Sequence, residues 1–442
     1  MVKLSFLRER ARATLRIIHD KCVVKTFCAG QVRNIAGHWQ QETCMPLFVQ
    51  FGAGNIGRSF LGRQFSEAGF EVTFVDVDQR LVALLNERGS YRVVVKDLDK
   101  PDETKTVSPV SALLGTDLEG IIDAVVGADF VATSVGLRAL DSVLPVLARG
   151  LIARAKAGRP DLDVIIAENL RSGAQLYHEK LRSLLGDQVS VLDHLGLVET
   201  SIGKMVPLMP AAALAEDPLQ LFAEPYDTLI VDRKGFHQAL PPLKGLKAVE
   251  NVTAYVDRKL FMHNMSHAAA AYFGYVAEPA AKYLWQVMEN QAVVSRVRLC
   301  LDESAAALAC VYPQEFNGAE LQQHGYDLLA RYRNRALGDT LHRVGRDLGR
   351  KLARDDRLIG ACLLAAEAGL PYHHLAAAAA AALVFRAPDE KGQMLPADAQ
   401  FVARLGSEGS RALLLATSML DPTKPHEAAV LETILLGTEM LR

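Results

Sequence analysis

The segment FGAGNIGR, residues 51–58, narrows the folds open to this chain more than any other stretch. Gly52, Gly54 and Gly57 follow directly on the apolar run LFVQF, and RSFLGRQFSEAG after them has helical spacing closed by Gly69. In a strand–turn–helix unit each glycine has its own task. The first permits the tight turn, the second lets backbone approach a pyrophosphate, and the third lets the helix pack closely on the strand. The amides of Asn55, Ile56 and Gly57 at the helix start then face a diphosphate. Glycines alone can be a mere turn. Here the next strand, FEVTFVDVD, closes on Asp76 at the spacing of about 20 residues where an acid binds ribose hydroxyls and repels a 2′-phosphate. The expectation is NAD over NADP, with FAD as the alternative. Two more strand ends, TSVG (with Ser134 and Val135) and AEN (167–169), should line the same crevice, because ligands sit beyond the carboxyl ends of such strands.

Strand-like runs at 91–96, 128–136, 162–169 and 188–198 alternate with helical stretches at 138–157 and 170–185. That alternation implies a Rossmann-like, doubly wound parallel sheet. After about residue 235 helical spacing dominates to the end. The expected organisation is an extension over 1–44, disordered or outside the fold, an NAD-binding domain over 45–235, and a mostly α-helical substrate and catalytic domain over 236–442. The first 44 residues are rich in Arg and Lys, so a targeting presequence is the other reading, although no cleavage pattern accompanies them.

Composition excludes several classes. Lys plus Arg number 49 against 51 Asp plus Glu, so no net field recruits nucleic acid or an anionic membrane. No apolar run reaches the ~20 residues that span a bilayer, and the alanine-rich run 376–382 reads as a packed helix. Six cysteines without CxxC spacing fit free thiols in a reducing compartment, hence a cytoplasmic protein acting on a small molecule, as a monomer or small homo-oligomer.

The chemistry concentrates in DRKLFMHNMSH, residues 257–267. His263 and His267 are four apart, as in helical zinc sites, yet no Glu follows the first and no third ligand is apparent. On an α-helical wheel at about 100° per residue, with Lys259 at zero, Asn264 falls near 140° and His267 near 80°. The three share one arc. A desolvated lysine can take an alcohol proton, and an asparagine amide can stabilise the alkoxide. A metal-free proton-transfer site is therefore expected, with His263 packed or at the surface. An aldolase-type lysine or a silent dinucleotide sensor would use the same residues differently.

The pattern Lys-x4-Asn-x2-His, met by Lys259, Asn264 and His267, resembles that of the polyol-specific long-chain dehydrogenases/reductases. FGAGNIGR with TFVDVD, AENL, LIVDRKGF and RVGRDLGRKLARDDRLIGACLLA are similar to the mannitol-1-phosphate 5-dehydrogenase branch of that family. The likeness runs from about Phe48 to about Arg386. It implies Lys259 as general acid/base, Asn169 and Asn264 as an oxyanion clamp, and His267 orienting a substrate hydroxyl, with no zinc. It implies hydride transfer between NAD and a hexitol 1-phosphate (mannitol 1-phosphate), giving a ketose 6-phosphate (fructose 6-phosphate). The alternatives are mannitol 2-dehydrogenation and reduction of a keto-uronate (fructuronate or tagaturonate). Asp232 matches the family's aspartate and is a candidate substrate contact or a loop cap. Arg346, Arg350, Lys351 and Arg357 form a basic cluster suited to a phosphate or carboxylate. Their spacings do not fit one helix face, and Arg346 and Lys351 are the preferred ligands. One departure stands at SIGKMVP. Where the family carries an Asp-Arg pair, this chain has Gly203 and Lys204 after Ile202.

Overall fold

The computed structural model describes residues 31–33, 39–41, 45–207 and 209–441. The expectation for residues 1–44 lies almost wholly outside them. Within that stretch, strands Gln31–Arg33 and Trp39–Gln41 pair antiparallel with each other. Residues 46–442 form a unit of their own.

That unit is built on an eight-stranded sheet. In chain order its strands are β1 (Leu47–Phe51), β2 (Glu71–Asp76), β5 (Val110–Leu114), β6 (Phe130–Thr133), β7 (Leu162–Ile166), β8 (Leu195–Ile202), β10 (Leu229–Asp232) and β11 (Leu246–Val249). Strands β3 (Tyr91–Val95), β4 (Glu103–Val107) and β9 (Leu221–Ala223) form a separate small sheet. Across the large sheet the order is β5-β2-β1-β6-β7-β8, all parallel, followed by β10 and β11 running the other way. This is the doubly wound order in which the strand sequence reverses between β1 and β6, and ligands bind in the crevice there. The central strands are buried on both faces, which is why they read as continuous apolar runs instead of alternating ones.

Three sequence expectations need correction. The strand expected at 188–198 begins only at Leu195, and residues Gly186–His194 are tight helical turns. The run YRVVV is a strand, but it pairs with β4 and β9 outside the parallel sheet. The division expected at residue 235 falls inside the α/β part, since β10 and β11 pair as far as Val249. No α-helix separates β10 from β11, so the strand–helix alternation that marks the parallel strands is missing there.

From Val252 onward the unit is helical. The alanine-rich helix His373–Val384 buries Ala378 through Ala382 completely, and small side chains let neighbouring helices approach its backbone closely. Among the described residues Cys300, Cys310 and Cys362 are free thiols, and no helix is long and apolar enough to cross a membrane.

Candidate active site

The glycine loop is shaped by what lies against it. Gly52 has φ +91°, and a Cβ on it would lie 2.7 Å from the Ser134 carbonyl oxygen. A Cβ on Gly57 would lie 2.0 Å from the Gly52 carbonyl oxygen, so this glycine is what lets the helix start so close to the strand. Gly54, by contrast, faces open space, with no atom within 4 Å of where a Cβ would sit. That opening is the approach a diphosphate needs. Asp76 accepts the Ala53 amide at 2.7 Å and the Asp78 amide at 3.0 Å, which fixes its carboxylate at the end of β2 beside the loop. Sequence reasoning missed Arg58. Its guanidinium is buried and donates to the carbonyls of Ala53 (2.6 Å) and Leu219 (2.9 Å), bracing the loop against the segment before β9.

At the next strand end the backbone amides of Val135 and Gly136 both donate to the buried carboxylate of Glu168, each at 2.8 Å. Ser134 accepts from the Gln50 side chain at 3.0 Å. The residues expected to bind the dinucleotide thus lie together along the carboxyl edge of β1, β2, β6 and β7.

The helix carrying Lys259 is not a plain α-helix. Val252–Arg258 and Met265–Ala277 are α-helical, and the six residues Lys259–Asn264 between them form a π-turn. Bonding from i to i+5 widens the turn, so the α-helical wheel does not apply across it. Lys259 and Asn264 are the first and last residues of that widened turn, and both line the cavities described below.

The Lys259 ammonium donates to Asn169 Oδ1 at 2.9 Å. Burial by the cavity walls, with the positive charge of Arg357 added, brings its pKa down to about 8. Asn264 makes no side-chain hydrogen bond among the described residues, so its amide is free to donate. His267 donates through Nε2 to buried Asp339 at 3.1 Å and stacks on Tyr332 with ring centres 5.1 Å apart. His263 is buried, and burial holds its pKa well below the usual value. Its ring centre lies 6.3 Å from that of His267, and among the described residues no three His, Cys, Asp or Glu side chains converge as a ligand set.

Two cavities meet at Lys259. The larger, about 530 Å³, runs from Ile56 and Asn169 past Lys259, Asn264 and His267 to Arg343, Arg346 and Lys351. The smaller, about 310 Å³, opens on the other side toward Glu168, Arg171 and Asp356. The basic cluster is brought to the larger cavity by a reversal of the chain. Asp347 adopts φ +70°, and its amide and that of Leu348 donate to the buried Asp398 carboxylate at 2.8 and 2.7 Å. Such charge-assisted bonds contribute about 1.5–3 kcal/mol each, which offsets the strain of a left-handed non-glycine residue.

The cluster is mostly spoken for. Lys351, a preferred ligand from sequence, is buried and donates to the carbonyls of Val344 and Arg346. Arg350 pairs with Asp347 and Asp356, Arg357 with Asp356, and Arg343 with Asp339. Arg346 is exposed and has no side-chain partner among the described residues. Asp232 belongs elsewhere. It lines neither cavity, and its carboxylate accepts the Lys234 amide at 3.1 Å as a turn cap. At the departure from the family pattern, Lys204 is buried and donates to the carbonyls of Glu224 (2.9 Å) and Tyr226. An acid–arginine pair is present there all the same. Arg331 grips the Glu224 carboxylate through two nitrogens, at 2.8 and 2.6 Å, and also donates to the Gly203 carbonyl.

The chain is similar over 90% of its length to the solved Pseudomonas fluorescens mannitol 2-dehydrogenase in ternary complex with NAD and D-mannitol, at 17% identity and TM-score 0.71, covering 92% of that chain. A D-sorbitol dehydrogenase solved in substrate-free form matches at 16% identity and TM-score 0.72, covering 90% of this chain and 93% of that one. At such identities the likeness is one of fold. The family models reach further: the mannitol dehydrogenase Rossmann domain matches residues 47–245, and the mannitol dehydrogenase C-terminal domain matches residues 251–424. With the two domains in order over most of its length, the chain belongs to the mannitol dehydrogenase family.

Proposed function

We propose that the protein is an NAD-dependent polyol dehydrogenase that interconverts a hexitol 1-phosphate and a ketose 6-phosphate. When bound, the nicotinamide supplies a hydride acceptor. The chain's own residues do the rest. Lys259 in its neutral form takes the hydroxyl proton as the alcohol is oxidised and returns it in the reverse direction. The amides of Asn169 and Asn264 donate to the oxygen as it gains charge. His267, held by Asp339, orients a neighbouring hydroxyl.

The observation that carries the substrate reading is Arg346. A guanidinium with no protein partner stands on the wall of the cavity that holds Lys259, and a phosphate is the group that suits such a fork. Lys351 is demoted by its two carbonyl bonds, although an ammonium has three donors and one remains. A second reading has its own support. The other arginines on this wall, Arg343, Arg350 and Arg357, are matched by Asp339, Asp347 and Asp356, so the one guanidinium left over also suits the single carboxylate of a keto-uronate.

One panel separates them: NADH oxidation with fructose 6-phosphate, fructose, fructuronate and tagaturonate. The highest kcat/KM is expected for fructose 6-phosphate, with inorganic phosphate competing against it. Equal rates with free fructose would remove the phosphate from the reading, and preference for a uronate would transfer it to the second.

A further inference from the structure

The segment between β7 and the helix Gly173–Leu185 has no repeating backbone to hold its shape. It enters the helix through Ser172, a non-glycine residue at φ +55°. A left-handed serine persists only where its surroundings over-determine it. Three side chains of this segment supply that constraint, and each ties to a different place. Glu168 takes the amides of Val135 and Gly136 at the dinucleotide crevice. Asn169 faces Lys259. Arg171 reaches across to the helix of Lys259, pairing with buried Asp257 and lying 5.7 Å over the ring of Phe261 inside the π-turn. Asp257 is fixed from its other side by the Tyr312 hydroxyl, which donates at 2.6 Å.

We propose that Arg171 and Asp257 are positioning residues for the reaction: their ion pair holds Asn169 against Lys259 and so sets the oxyanion clamp. The pair spans from the loop of Asn169 to the helix of Lys259, two residues before the base. Without it Asn169 lies between anchors at Glu168 and at Ala174, whose amide is held by Glu199, with no other ion pair among the described residues tying its loop to the helix of Lys259. Phe261 gives the arginine a second hold on the widened turn, so the same side chain also restrains the π-turn that carries Lys259 and Asn264. The bridge is half-exposed on the arginine side, with 42% of that side chain accessible, so its loss need not unfold the protein. A misplacement of about 1 Å at a reacting group can cost a hundredfold in rate.

The inference rests on Asn169 and Lys259 doing the oxyanion and proton work, and a double-mutant cycle tests the two apart. Arg171→Gln should lower kcat by roughly tenfold to a hundredfold while NADH affinity and KM stay within about twofold. Arg171→Lys should recover part of the loss, and Asp257→Asn should reproduce the Arg171→Gln effect. Because Arg171 acts through Asn169, adding Arg171→Gln to Asn169→Ala should lower kcat by less than about threefold more. Full additivity in that cycle overturns the proposal, as does a loss of NADH affinity and melting temperature in step with kcat. Failure of the underlying site assignment looks different: Asn169→Ala and Lys259→Ala would then each retain wild-type kcat, and the strap would fall with them.

Discussion

The two ends of the active-site crevice are built on opposite principles. At the dinucleotide end the work is done by backbone: amides at a helix start, a turn only glycine can make, and one carboxylate fixed by two amides. At the end proposed to hold substrate, the side chains come from distant segments: Asn169 after β7, Lys259 and Asn264 on a π-turn, Asp339 before one short helix, and Arg346 beside a left-handed reversal. A backbone site tolerates change nearly everywhere except at its glycines. A side-chain site is exposed to every element that aims a residue into it. A glycine-loop crevice is common to many chemistries, so on the proposed reading the second end is where the substrate is chosen.

Variants at the two ends should therefore fail in different ways. The largest effect is expected at Lys259→Ala, with kcat down at least about a hundredfold, the usual range for a general acid–base group, and NADH affinity unchanged by titration calorimetry. A parallel loss of NADH binding would erase the distinction between the ends. Next comes Arg346→Ala, which should raise KM for fructose 6-phosphate about tenfold or more while sparing kcat, since a remote phosphate is held alike in ground and transition states. If kcat falls instead, Arg346 takes part in the chemistry. At the other end, Asp76→Ser should relax the preference for NAD toward NADP, read as the ratio of kcat/KM values, because the carboxylate is what repels a 2′-phosphate. A wild type that already prefers NADP would contradict the crevice assignment.

A smaller shift is expected from Arg357→Gln. The Arg357 charge favours neutral Lys259, so its removal should raise the Lys259 pKa and move the pH dependence of alcohol oxidation to higher pH. Movement to lower pH would exclude Arg357 as the tuning charge. The smallest effect should come from prolonged dialysis against EDTA, which is expected to leave activity intact. Activity lost to chelator and restored by zinc would bring His263 and His267 back as ligands.

The same contrast governs what the amino-acid sequence reveals. FGAGNIG and the acid of TFVDVD are local in sequence, so the crevice between β1 and β6 can be inferred from spacing and simple sterics. The substrate end is not local. Asp339 and Asp257 have no signature, because what marks them is a partner far along the chain. Lys351 reads as a phosphate ligand, whereas the fold gives two of its ammonium donors to carbonyls, which no sequence pattern announces. Asp232 reads equally as a substrate contact or a loop cap, and in the fold its carboxylate caps a turn away from both cavities. The Lys-x4-Asn-x2-His motif lay between the two cases. Its residues share an arc on an α-helical wheel, yet the helix widens into a π-turn across them, and no periodicity argument contains a π-turn. Between β10 and β11 no α-helix intervenes, so the alternation that reveals the other strands is missing there.

The central claim is that one lysine, made weakly basic by its surroundings, carries the proton. The direct test is the pH dependence of kcat for polyol oxidation at saturating NAD. Neutral Lys259 is the active form in that direction, so the rate should rise with pH through a single ionisation near the value of about 8 set by burial and Arg357, and the rise should vanish in Lys259→Ala. A profile that is flat through that range, or a rise that survives in Lys259→Ala, would show that another group moves the proton.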